Sequence, residues 1–194
     1  YSGEVNLKIT GECNLSINGS YNLELNLVNE KNSVLCINYS GQGKVLKRVS
    51  NKGNLIVNEK ISGNLDLNED TENYYLYENS SKINDGLTHL NVNVKNMVEG
   101  SITKLFNKTF LENGSHVQCI KIKVNKPGCQ VHQNSKILHC GGEISALPIL
   151  DITQDDVQAS HGVAIEQIDK NLVFYLASRG VKFPEKLIVE SFLG

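Results

Sequence analysis

Between Tyr1 and about Ile152, apolar side chains return at every second position. Val5, Leu7 and Ile9 alternate with Asn6 and Lys8, and the pattern recurs at Leu15 and Ile17, Leu23 to Leu27, Leu55 and Val57, Leu65 and Leu67, Val92 and Val94, and Ile120 to Val124. A period of two puts those side chains on one face of an extended strand, so this region must build a sheet that buries one face. Gly, Asn and Ser separate the runs, and these residues tolerate the left-handed backbone that tight corners need. A weak repeat lies on top: GEVNLKI, GECNLSI, GNLIV and GNLDL each place Asn-Leu shortly after Gly. Short strands with glycine corners suit a β-solenoid, whose coils bury their inward faces against one another. An antiparallel sandwich produces much the same alternation, and biased composition alone could produce the repeat, so periodicity leaves the choice open.

The chain has 194 residues, which fits one main domain with a real core. Its 19 basic and 21 acidic residues leave a net charge of −2, without the basic footprint of a nucleic-acid or anionic-membrane binder. No apolar run is long enough to span a bilayer, and no basic, apolar leader opens the chain. The five cysteines, Cys13, Cys36, Cys119, Cys129 and Cys140, are odd in number and form no CxxC pair, which points to reduced thiols and a cytoplasmic protein. Six Asn-x-Ser/Thr sequons argue the other way, but Asn is abundant and such triplets then arise by chance.

After Ile165 the period changes. Leu172, Val173, Tyr175 and Leu176 fall at helical spacing, with Asp169 placed to cap the start and Gly180 to stop the end. Pro184 suits the first turn of a second helix carrying Leu187, Ile188 and Phe192. The expected division is a β core over 1–164 and a helical segment over 165–194.

Three groups of residues could carry chemistry. DDVQASHGV holds Asp155, Asp156, Ser160 and His161, the ingredients of a nucleophile with its base, but no G-x-S-x-G accompanies them. Asp155 or Asp156 could serve glycoside cleavage on a β-helix, although twelve Phe and Tyr and no Trp are a thin set for lining a sugar cleft. Cys129, His132, His139 and Cys140 are thiolate and imidazole donors of the kind that hold zinc or iron, at a spacing that one hairpin or coil could gather. Gly141-Gly142 lacks the Lys-Ser/Thr that a phosphate loop requires.

The block EISALPILDITQDDVQASHGVAIEQIDKNLVFYLASRG is specific. Glu143, Pro148, Asp155-Asp156-Val157, Ser160-His161-Gly162, Asp169, Phe174-Tyr175-Leu176 and Ser178-Arg179-Gly180 make it resemble the SufB/SufD family of iron–sulfur cluster assembly scaffolds. Upstream, the resemblance is one of pattern: alternating strands and an NKPG turn before Gln133. The resemblance implies a mainly β chain, a right-handed parallel β-helix followed by a short α-helical C-terminal segment, with DDVQASHGVAIEQID, Asp155 to Asp169, as the junction between them. The SufB-like branch carries Glu after the histidine and a Cys just ahead of the Pro-containing strand. Gly162 follows His161 here and Cys140 stands a few residues from that Cys, so the SufD-like branch is the better assignment.

Such proteins resemble non-catalytic partners. The resemblance implies pairing with a SufB-like protein, or with a second copy, through the β-helix, and docking of a SufC-like ABC ATPase on the helices. Here the docking face would comprise Leu172, Tyr175, Leu176, Arg179, Leu187 and Ile188. His161 becomes the principal candidate contact for a transient iron–sulfur cluster in the complex, with Cys140, His139, Cys129 and His132 as further candidates, and no tightly bound cofactor is expected. Relative to the family the chain lacks an N-terminal helical region and stops early in its second helix, which suggests a fragment or a minimal self-pairing member. A metal-free β-solenoid interaction protein is the remaining alternative.

Overall fold

The computed structural model describes residues 2–73 and 75–194. Eleven strands come first: β1 (Ser2–Ile9), β2 (Glu12–Asn29), β3 (Ser33–Asn51), β4 (Leu55–Glu72), β5 (Leu76–Ile83), β6 (Leu87–Asn96), β7 (Ile102–Leu111), β8 (Ser115–Val124), β9 (Cys129–His139), β10 (Glu143–Ile152) and β11 (Val157–Gln167). Two helices follow, α1 (Lys170–Ser178) and α2 (Pro184–Leu193). Every strand pairing is parallel. This removes the sandwich, which needs antiparallel pairs, and leaves the solenoid.

The coil has two faces. The first halves of β2, β3 and β4 continue into β5, β7, β9 and β11, while β1 and the second halves of β2, β3 and β4 continue into β6, β8 and β10. Inward side chains from both faces meet in one core that runs from Ile9 and Leu25 through Leu55, Val57 and Leu67 to Ile122 and Val131. The alternation is visible along β8, where Ile120, Ile122 and Val124 are buried and Lys121 and Lys123 point outward.

Two features set the corners. Gly19, Gly41 and Gly63 stack where β2, β3 and β4 cross from one face to the other; Gly41 has φ +112°, and a Cβ there would sit 2.1 Å from the Gly19 carbonyl oxygen. Only glycine fits a column that close. The other corner carries an asparagine ladder: Asn29 Nδ2 donates to Asn51 Oδ1 at 2.6 Å, Asn51 Nδ2 donates to the Asn73 carbonyl at 2.6 Å, and Asn73 Oδ1 accepts from the Met97 N–H at 2.7 Å. The abundant asparagines thus satisfy corner backbone that no strand neighbour reaches.

The core also holds charge. Lys47 Nζ lies 2.5 Å from Glu59 Oε1 and 2.9 Å from Glu69 Oε1, all three fully buried at the side chain, and Tyr77 donates its hydroxyl to Glu59 Oε2 at 2.9 Å. Burial works against the Lys47 ammonium, but the two carboxylates outweigh it and hold the lysine above its ordinary range.

The switch to helices falls after Gln167. Asp169 Oδ1 accepts the Asn171 N–H at 2.8 Å and caps α1, and Pro184 opens α2. The pair packs outside the first face, where Phe110 and Leu138 meet Ile168 and Val189 in a small second core.

Candidate functional site

DDVQASHGVAIEQID reaches the strand–helix junction only at its end, where Asp169 caps α1. Asp155 and Asp156 occupy an exposed bend, and Ser160, His161 and Gly162 lie in the middle of β11, with six more strand or linking residues before Asp169 caps α1. Among the described residues β11 pairs with β9 on one side only.

Parity divides the motif. In a parallel stack, register partners point the same way. His161 lies beside Gln133 and Gln133 beside Leu105. Both of those are 1% exposed, so His161 occupies an inward-facing position on the last coil and is open to solvent there. Ser160 belongs to the outward column of Lys104 and His132. Its hydroxyl pairs with His132 Nδ1 at 2.6 Å, and the His132 ring tilts against Phe106 at 5.5 Å between centroids. Ser160 and His161 therefore face opposite sides of the sheet and form no nucleophile–base pair with each other.

The Cys/His group does not converge. Cys129 opens β9, buried, with its thiol 3.3 Å from Ser101 Oγ. His139 closes the same strand and Cys140 follows it, exposed. Ten strand positions at about 3.3 Å each separate the ends by roughly 33 Å, and no hairpin folds them back, because β9 is one continuous strand. Among the described residues, no three His, Cys, Asp or Glu side chains gather as a metal site. Burial, then the charges of Glu112 and Glu185, push the Cys140 thiol up. Cys140 also lies seven positions along from Gln133, about 23 Å from the His161 level.

The mouth around His161 is apolar. Leu150 and Val157 pack on the last core layer, while Ile152 and Ile165 stay 40% and 47% exposed on inward positions of β10 and β11. Both strands offer a free edge on that side among the described residues. A free parallel edge beside an apolar mouth is a template for another chain.

On the helices, Leu172, Tyr175 and Leu187 are exposed and Leu176 is half-buried; Ile188 instead packs into the second core. Arg179 is exposed, with its guanidinium over the Tyr175 ring at 5.2 Å. Phe174 and Phe183, 76% and 69% exposed, add to this surface; helical spacing did not single them out, because Phe174 lies off the apolar stripe of α1 and Phe183 precedes α2 as its N-cap.

These features define a class: a two-faced parallel β-helix ending in a histidine-bearing open coil, with a helical pair laid on one flank. Residues 137–192 match the family described as "SUF system FeS cluster assembly, SufBD core domain". The iron-sulfur cluster assembly protein SufD of Escherichia coli (strain K12) is 38% identical over 52 residues, 27% of this chain and 12% of that protein. An iron-sulfur cluster assembly SufBD family protein of Synechocystis sp. is 38% identical over 60 residues, 30% of this chain and 13% of that protein. Over this block the chain is similar to SufB/SufD-family proteins, and the SufD match favours the SufD-like branch. The matched stretch spans about an eighth of the curated relatives' length.

No described helix is long and apolar enough to cross a membrane.

Proposed function

We propose that this chain is a non-catalytic, cytoplasmic scaffold subunit of iron–sulfur cluster assembly, which pairs with a SufB-like protein through the last coil and docks a SufC-like ATPase on its helices. The observation that carries the reading is the position of His161, inward-facing yet open, at a free double edge inside the family-matched block. Neutral imidazole ligates iron, and an interfacial position lets the ligand be completed or released as the partner moves. The cluster is cargo in this reading. Exposed Leu172, Phe174, Tyr175, Phe183 and Leu187 supply an apolar surface suited to a protein partner.

The test compares wild type with His161→Ala in the complex co-expressed with the cognate SufB-like and SufC-like proteins. Anaerobic iron and sulfide loading should fall by about ten-fold or more, the usual scale for losing a metal-site group, while the melting temperature stays within the error of the measurement. Normal loading with a lowered melting temperature would make His161 structural and favour a metal-free interaction protein.

A further inference from the structure

Gln133 is 1% exposed, and neither Oε1 nor Nε2 of its side-chain amide has a hydrogen-bond partner. A buried orphan amide is costly, and native interiors rarely keep one without a use. Its surroundings narrow the use. Leu105, below it in the column, has no polar side-chain atom. Val131 is apolar, and the Ser135 hydroxyl, which accepts from Gln118 Nε2 at 2.9 Å in a chain that continues from Asn107 Nδ2 to Gln118 Oε1 at 2.6 Å, makes no bond to Gln133. Above it, the next side chain in the same column is His161. Parallel neighbours stand about 4.8 Å apart, so an amide and an imidazole on adjacent rungs can close to hydrogen-bond distance by rotamer adjustment alone.

We propose that Gln133 is a positioning residue for His161. Its Oε1 accepts the N–H of one imidazole nitrogen, which fixes the tautomer and turns the other, unprotonated nitrogen out of the mouth toward iron. Histidines that bind metal commonly donate their second nitrogen to a neighbouring acceptor, which sets ring orientation and basicity. The amide is neutral, so it orients the ring without adding charge beside the cargo. The proposal rests on the cluster role given to His161 above.

The experiment uses Gln133→Met, close in shape but without the amide. Histidine ¹⁵N chemical shifts of the labelled chain report the tautomer, with His161 assigned by its loss in His161→Ala. Expected are a melting temperature close to that of wild type, since the unpaired Nε2 leaves with the amide and the freed imidazole N–H stands at the open coil, a His161 ring that shifts from one tautomer to a mixture, and complex loading lowered about ten- to a hundred-fold. An unchanged His161 tautomer in Gln133→Met overturns the proposal, whatever happens to loading. A marked drop in melting temperature with the tautomer unchanged also overturns it and makes Gln133 a packing residue. A shifted tautomer with normal loading by His161→Ala supports the amide–imidazole bond and sinks the cluster role instead, so the two failures are told apart.

Discussion

His116 shows how one inward position couples the fold to pH. Its Nδ1 lies 2.9 Å from Thr88 Oγ1, the residue is 2% exposed, and burial pushes its pKa down to about 4. An unfolded histidine titrates near 6.5, so between roughly pH 6.5 and 4 the unfolded chain binds a proton that the folded chain refuses. Stability must therefore fall as pH falls through that window and level off below it, by about 3 kcal/mol in total for this one group. Urea midpoints measured from pH 7 to pH 4 should drop more steeply for wild type than for His116→Gln; parallel curves would show that His116 does not set the acid limb. At this scale the sequence was partly legible. Parity alone puts His161 with Ala159, Val163 and Ile165 on one side of β11 and Ser160 on the other. Its pairing with Gln133 was hidden, because register is a three-dimensional quantity: partners stand 22 positions apart at Val34 and Ile56 but 28 apart at Gln133 and His161.

The long strands owe their unbroken length to corners and to one buried ion cluster. Alanine at Gly41 would demand φ +112° of a residue with a Cβ and drive that atom to 2.1 Å from a backbone oxygen. Gly41→Ala should cost at least about 3 kcal/mol. Gly162→Ala on β11 meets no atom within 4 Å and needs no left-handed backbone, so it should melt as wild type. Similar losses for both would remove the stacked corner as the cause. Lys47→Met leaves Glu59 and Glu69 buried without their common cation and should destabilise the chain by about 3–5 kcal/mol; a smaller loss in chemical denaturation would mean that water reaches the carboxylates. This cluster had a readable signal. Lys47 alternates in phase with Val45 and Val49, and Glu59 with Val57 and Ile61, so charges stood at inward parity in the sequence itself. What the sequence could not show is that β3 and β4 lie side by side, which sets Glu69 beside Lys47, while Glu59 meets the same ammonium from another part of β4. The two helices were legible because their signals are local, a capping Asp169, a Gly180 at φ +86° and Pro184 in the first turn, but β11 runs on to Gln167, past the change of period expected after Ile165.

In the whole molecule, the mouth and the helical flank are separate surfaces. α2 runs outside the first face, away from the free edges, so that its last residues reach Ser80 of β5: Ser80 Oγ lies 3.4 Å from the Leu193 carbonyl. A partner seated on β10 and β11 would meet the inward apolar positions Ile152 and Ile165, whereas one on the helices would meet Phe174 and Leu187. Specific protein pairs bury about 1,200–2,000 Å², and a charge placed within such a contact is desolvated without a counter-ion. Ile152→Lys with Ile165→Lys should therefore abolish pairing with the SufB-like protein in size-exclusion light scattering while ATPase pull-down persists. Phe174→Asp with Leu187→Asp should do the reverse. Each pair replaces residues that are already 40% or more exposed, so both proteins should keep the wild-type melting temperature, and a loss of binding cannot be put down to unfolding. If either double variant removed both partners at once, the two contacts would be one coupled interface, and the proposed scaffold with separate sites for its pair and its ATPase would be overturned.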